Sequence, residues 1–178
     1  MNRNFYTLFI EPALIYGSIV GVIYIVISVI LSIANANFSV TRQVVDIALP
    51  VVGIIFCLIM YRKEYLGNHI SYGRAFGMGV SMMLIMGILV AVYNYIYTAF
   101  INPDFFKEAQ VVLEEKLINK NIDPRQIEFA IEKSAWVRTP FYSSLMAIVN
   151  FVVMGSIASL VIAAFVKKED EDPFRDVI

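Results

Sequence analysis

The chain has 178 residues and a formal net charge of -1; 59% of its residues are hydrophobic and only 16% are charged. Soluble domains carry roughly 25% charged residues, so this composition excludes an ordinary soluble domain and indicates a membrane protein whose first partner is the lipid bilayer. The near-neutral charge and the scattered basic residues argue against a nucleic-acid partner.

Four long apolar runs predict four transmembrane helices, because about 17 to 25 apolar residues are needed to cross the hydrocarbon core. The runs are Ala13 to Ala34, Val44 to Tyr61, Ala75 to Ile101 and Phe141 to Val166. The first run ends in a small-residue pattern that resembles a signal-peptidase site, but a signal sequence has an apolar region of only about 7 to 15 residues. We therefore expect a retained first helix and one all-α, polytopic membrane domain over residues 1–178.

A charged insertion, residues 102–139, separates the third and fourth runs. Asp123-Pro124 within it, like Glu11-Pro12, Asn102-Pro103 and Thr139-Pro140, places a polar residue and then proline ahead of a helical pattern, which is typical of a helix start. Apolar residues recur at helical spacing on both sides of Asp123. These are Phe105, Ala109, Val112, Leu113 and Leu117, then Ile127, Ala130, Ile131 and Ser134. The insertion is predicted to be an amphipathic helical hairpin.

The orientation follows from the lysines and arginines near the helix ends. Arg62, Lys63 and Arg74 lie between the second and third runs, and further basic residues begin the acidic tail at 167–178. Short loops rich in Lys and Arg stay in the cytoplasm. Both termini are therefore predicted to be cytoplasmic, and the hairpin at 102–139 to be extracytoplasmic.

Small residues recur at four-residue spacing in three of the predicted helices, which permits close helix packing. They are Gly17 and Gly21 in the first, Gly73 and Gly77 in the third, and Gly155 and Ser159 in the fourth. Two interpretations are open: packing within one bundle, or an interface between two copies of the chain.

Three polar residues, Asp46, Asn94 and Asn150, fall in the same half of the predicted membrane domain. An intramembrane polar cluster is a functional hypothesis for a proton, an ion or a small polar solute. Pro50 strengthens it, because proline cannot donate a hydrogen bond to the Asp46 carbonyl. In the alternative interpretation, Asp46 is the N-cap of the second helix, Pro50 lies in its first turn, and the asparagines bridge helices.

Other chemistry has little support. Arg62, Lys63 and Arg74 are suited to contact anionic lipid headgroups, although their role as a topology signal explains them equally well. His69 and Cys57 are each the only residue of their type, too few for a zinc site. The chain has no nucleophile elbow or phosphate loop. We therefore expect no metal, no cofactor and no enzymatic activity.

Several short segments, taken in order, resemble a known family. They are Tyr16-Gly17, Ile70 to Gly77, Tyr95 to Tyr97 followed by Asn102-Pro103-Asp104, and Lys167-Lys168. In these and in its helix spacing the chain resembles the bacterial four-helix integral membrane proteins grouped as domain-of-unknown-function family 4199. The resemblance implies a four-helix fold in the bacterial inner membrane and supplies no catalytic residues.

Two functions follow as hypotheses. The first is a structural or accessory membrane protein whose hairpin binds a partner protein or another copy of the chain. The second is an oligomeric transporter or channel subunit for a small ion or polar solute, using Asp46, Asn94 and Asn150.

Overall fold

The computed structural model describes residues 6–168, and side chains from Leu8 onward. Its six α-helices are α1 (Glu11–Ile33), α2 (Val40–Tyr65), α3 (Tyr72–Ile96), α4 (Phe105–Ile118), α5 (Pro124–Lys133) and α6 (Pro140–Val166). A π-helical turn, Tyr6–Ile10, precedes α1, a second, Tyr97–Ile101, extends α3, and a 3-10 turn, Ala135–Val137, follows α5. Most of the predicted acidic tail, from residue 169, lies outside the described residues.

Four helical segments are long and apolar enough to cross a membrane: Leu8–Ile33, Val40–Tyr65, Tyr72–Ile101 and Pro140–Val166. The predicted all-α architecture with four spans is therefore confirmed. At 1.5 Å per residue these segments measure roughly 39 to 45 Å, which exceeds the hydrocarbon core. We call the end of the bundle that carries residues 34–39 and 102–139 the hairpin side, and the end that carries residues 66–71 and Lys168 the terminal side.

Capping side chains explain where three helices begin. Ser39, Asp123 and Thr139 accept hydrogen bonds from backbone N–H groups in the first turns of α2, α5 and α6. Two other proline signals act differently. The backbone runs helically from the first π-helical turn through Pro12, and α4 begins at Phe105 after a turn, not at Pro103.

The third helix is the centre of the bundle. Met78, Met82, Met83 and Met86 of α3 are fully buried. They pack in one core with residues of α1, α2 and α6, including fully buried Ile54. Methionine is flexible and polarisable, so it fills the irregular gaps left where several helices meet one helix.

Small residues allow α1 and α6 to approach α3 closely. A Cβ atom added at Gly17 would lie 2.8 Å from the Met82 carbonyl oxygen, and one at Gly155 would lie 2.6 Å from the Met83 Cβ. Gly21 faces Leu89 of α3, and buried Ser159 packs on Gly79. Gly17, Gly21, Gly155 and Ser159 therefore pack inside the bundle.

The other predicted glycines behave differently. Gly77 packs on the Phe9 ring, while Gly73 is exposed and a Cβ there would meet no atom within 4 Å. Gly73 therefore takes no part in the packing of the described chain. Gly53, Gly79 and Gly87 were not predicted, yet each makes a close interhelical contact. Gly79 follows Ala75 and Gly87 precedes Ala91 by four residues, so the same pattern was present at both, whereas Gly53 has no small residue at that spacing.

The hairpin formed by α4 and α5 is joined to the bundle by aromatic contacts at the beginning of α4. The Phe105 ring stacks on Phe38 at 5.4 Å and meets Tyr97 edge to face at 5.9 Å. Arg138 donates to the Gln110 side-chain oxygen at 2.8 Å. The beginning of α4 therefore packs against the bundle, and the Arg138 bond holds the segment after α5 to α4.

Candidate functional site: a polar cavity between four helices

Tyr24, Arg42 and Asp46 form a closed hydrogen-bonded triad on the hairpin side. The Tyr24 hydroxyl donates to Asp46 Oδ1 at 2.7 Å, and Arg42 Nε lies 2.9 Å from the same oxygen. Arg42 Nη2 donates to the Tyr24 hydroxyl at 3.0 Å, and the guanidinium carbon lies 5.5 Å from the centre of the Tyr24 ring. Each of the three polar groups therefore contacts the other two.

The triad results from where α2 begins. Because Ser39 caps the helix, Arg42 and Asp46 both lie within it at (i, i+4) spacing, which puts their side chains on one face. The interpretation of Asp46 as the N-cap is therefore wrong. Pro50 is buried inside α2, and its missing N–H leaves the Asp46 carbonyl without its usual helical partner.

A cavity of about 350 Å³ opens beside the triad, and all four spans contribute to its wall. Its lining includes Asp46 of α2, Asn94 of α3 and Asn150 of α6, so the structure places the three polar residues singled out from sequence around one space. Tyr93 lies beside Asn94 in the wall. The apolar part of the lining includes Val90, Ile47, Ala147, Phe151 and Met154.

The two asparagines have different surroundings. Asn94 is half-buried and donates from Nδ2 to Ser143 Oγ at 2.7 Å, which links α3 to α6. That bond uses an amide hydrogen and leaves the Asn94 carbonyl oxygen as an acceptor. Asn150 is exposed and lies on the rim of the cavity. The cavity is therefore lined by amide groups of α3 and α6 as well as by the α2 ion pair.

The charges within the cavity cancel. The Arg42 side chain is 21% exposed and that of Asp46 is 39% exposed, so the pair is partly withdrawn from solvent and is held together by direct contact. The neighbouring groups are hydroxyls and amides. Such a site offers donors and acceptors without net charge, which suits a polar solute better than a bare ion.

Sequence reasoning missed Tyr24, Arg42 and Tyr93 as members of the site. Arg42 lies just before the second apolar run, and Tyr24 lies inside the first. One signal was present, because Arg42 precedes Asp46 by four residues, the spacing of a helical ion pair. No sequence pattern pointed to Tyr24, which comes from a different helix.

The predicted lipid-contacting residues lie on the terminal side. Arg62 donates from Nη1 to the carbonyl oxygen of Val166, the last residue of α6, at 3.0 Å. It therefore caps α6 within the chain, whereas Lys63 and Arg74 are exposed. Nearby, Ile70 and Lys168 exchange two backbone hydrogen bonds, of 2.9 and 3.0 Å.

Among residues 8–168, no group of three or more His, Cys, Asp or Glu residues is placed to hold a metal ion.

Comparison with known proteins identifies the family. The sequence model of the proteins of unknown function grouped as DUF4199 matches residues 15–168. The chain belongs to this family, as the resemblance had indicated. No curated protein and no solved structure matches the chain.

Proposed function

We propose that this DUF4199 protein binds a small polar solute of zero net charge in the cavity between its four spans. The observation that carries the proposal is the convergence of the neutral Arg42–Asp46 pair with Tyr24, Asn94 and Asn150 on one space of about 350 Å³. Binding pockets generally combine an apolar lining with a few placed polar groups. An ion that entered the cavity would lose its hydration free energy, and the cavity has no opposite net charge to offset that loss.

Within this class, a zwitterion matches the site best. Its carboxylate complements the Arg42 guanidinium, and its ammonium group complements Asp46, so each protein charge exchanges one ionic partner for another. Asn94 of α3 and Asn150 of α6, which also line the cavity, supply further hydrogen bonds. The site is thus the solute-binding part of an oligomeric transporter or channel subunit, and we propose no catalytic reaction for it.

The test uses glycine as a zwitterionic probe and acetate as an anionic probe, with the detergent-solubilised protein. A ligand at about 100 times its Kd stabilises the folded state by about 2.7 kcal/mol. We expect glycine, and not acetate, to raise the unfolding temperature of the unaltered protein. Asp46→Asn leaves the Arg42 charge unpaired, so we expect this variant to lose the response to glycine and gain one to acetate.

Asp104→Asn is the matched control. Asp104 forms an exposed 2.8 Å ion pair with Lys107, three residues away, on the hairpin and outside the cavity. Its carboxylate raises the pKa of Lys107, so the substitution also leaves a cation unpaired. We expect Asp104→Asn to respond to glycine like the unaltered protein. An unchanged probe preference in Asp46→Asn would contradict the proposal.

A second candidate function is docking of a partner protein on the hairpin, which α4 and α5 favour by exposing large apolar side chains. Val111 is 64% exposed, Ile118 61% and Phe129 60%. Contiguous exposed apolar surface outside a membrane often marks an interaction site. This candidate describes a structural or accessory protein.

Photocrosslinking in intact cells tests the docking candidate. A photoreactive residue at Phe129 or Val111 should capture one reproducible membrane protein, or a second copy of the chain. The same residue at Arg125, which is exposed near the start of α5, is the control. Equal capture at all three positions would mean random collision and would count against docking.

We also propose that the hairpin is extracytoplasmic and that both termini are cytoplasmic, in the inner membrane of a bacterium. The support is the distribution of Lys63, Arg74 and their neighbours on the terminal side. A cysteine at exposed Glu115 on the hairpin should react with a membrane-impermeant thiol reagent in intact cells. A cysteine at Lys63 should react only after the cells are opened, and the reverse pattern would invert the topology.

A further inference from the structure

Asn150 is unusual among the surface residues of the spans. Between the first and last turns of the four spans in the described chain, every other exposed residue is apolar or aromatic. Asn150 lies ten residues after the start of α6, a helix of 27 residues, so it is about 15 Å along a helix roughly 40 Å long. It is therefore a polar residue near the middle of the bilayer, where a side-chain amide without a partner is costly.

The exposed residues around Asn150 follow a regular pattern. Among the exposed positions of α6, Met146, Asn150, Val153, Ile157, Leu160 and Ala164 are separated by alternating steps of four and three residues, and exposed Leu145, Val149, Val161 and Phe165 flank this series. This is the spacing of the contact positions in a left-handed coiled coil, and Asn150 occupies an a position. A single asparagine at an a position is the best-attested device for fixing register between two helices.

We infer that two copies of this chain associate in parallel through the outward face of α6, with Asn150 of one copy hydrogen-bonded to Asn150 of the other. An amide both donates and accepts, so it is complementary to itself across a two-fold axis. Two copies inserted in the same orientation hold Asn150 at the same depth. A different protein would need its own polar group at that depth, and a lipid acyl chain offers none.

The glycine contacts support this choice of surface. Gly155 and Ser159, the small residues of α6, are buried against α3, so they are not available for an interface between copies. The outward face of α6 is the opposite side of the helix. Because Asn150 also lines the cavity, a second copy on this face would lie next to the cavity.

Disulfide crosslinking in liposomes tests the interface. The native Cys57 is fully buried, so the unaltered protein supplies the background. Val153→Cys and Ile157→Cys should each form a disulfide-linked dimer on mild oxidation. Val92→Cys is the matched control, because Val92 of α3 is 56% exposed and Val153 is 52% exposed. Equal crosslinking at Val92 and Val153 would overturn the inference.

A second measurement addresses Asn150 itself. Energy transfer between labelled copies, followed as lipid dilutes the protein, gives the dimer dissociation constant. Intramembrane hydrogen bonds contribute about 0.6 to 2 kcal/mol, so Asn150→Val should weaken association about three- to thirty-fold. Unchanged association in this variant would overturn the role of Asn150. Neither readout uses a solute, so failure of the solute proposal would leave this result unaffected.

Discussion

Replacing Gly17 by alanine should loosen the contact between α1 and α3. The added Cβ would lie 2.8 Å from the Met82 carbonyl oxygen and 2.8 Å from the Ile85 Cβ. One of these atoms belongs to the backbone of α3, so a side-chain rotation cannot relieve the clash and the two helices must move apart. Overpacking of this kind costs about 1 to 3 kcal/mol.

The same substitution also has a favourable effect, which a control can separate. Alanine stabilises a helix interior relative to glycine by about 0.5 to 1 kcal/mol. The net effect at Gly17 is therefore a loss of about 1 kcal/mol. Gly73→Ala makes the identical chemical change where no atom lies within 4 Å, so it should be neutral or stabilising. We expect Gly17→Ala to be about 2 kcal/mol less stable than Gly73→Ala.

Reversible unfolding in mixed micelles, followed by circular dichroism against the fraction of denaturing detergent, measures this difference. Both variants should keep the helical content of the unaltered protein under folding conditions, and only the midpoint for Gly17→Ala should fall. Coincident midpoints for the two variants would contradict the close contact between α1 and the α3 backbone at Gly17.

Three further predictions concern individual hydrogen bonds. Tyr24→Phe keeps the ring but removes the hydrogen bonds to the ion pair, so it should lower the free energy of unfolding by about 1 to 2 kcal/mol. The control Tyr95→Phe, at an exposed position, should leave the free energy of unfolding unchanged. Equal losses in the two variants would contradict the triad. Ser39→Ala removes the cap of α2 and should cost about 1 kcal/mol, measured by unfolding, and an unchanged midpoint would contradict its capping role. Arg62→Leu removes the hydrogen bond to the Val166 carbonyl oxygen at the end of α6, so hydrogen exchange at the Lys168 amide should accelerate. An unaltered exchange rate would show that Arg62 is dispensable for the end of α6.

The spans could be predicted from sequence because a membrane helix needs only a long apolar run. Their boundaries were harder to predict. Thr41, Arg42 and Gln43 look like a loop, yet they lie inside α2 because Ser39 caps the helix and Arg42 is paired with Asp46 and Tyr24. Tertiary partners thus extended a helix that local polarity would have started later.

Part of the cavity lining could also be predicted from the sequence. Asp46, Asn94 and Asn150 stand out because polar residues are rare within apolar runs, and helix direction alone assigns them to one half of the bundle. The contribution of Tyr24 depends on how α1 is rotated against α2, which sequence periodicity does not give when most of a helix is apolar. The packing glycines show the same contrast. Gly17 and Gly21 form a four-residue pattern that can be recognised in the sequence, whereas Gly53 belongs to no such pattern.

The most direct test of the central claim is whether the cavity admits solute from the hairpin side. In liposomes, Ala147→Cys places a thiol on the cavity wall, while the unaltered protein, with Cys57 fully buried, gives the background. A charged, membrane-impermeant thiol reagent should label Ala147→Cys from the hairpin side, and glycine should slow the labelling. Val153→Cys, on the outward face of α6, should stay unlabelled because the charged reagent does not enter the hydrocarbon core of the bilayer. Labelling of Ala147→Cys no faster than the background, or no slower with glycine, would contradict the account of a solute-binding cavity.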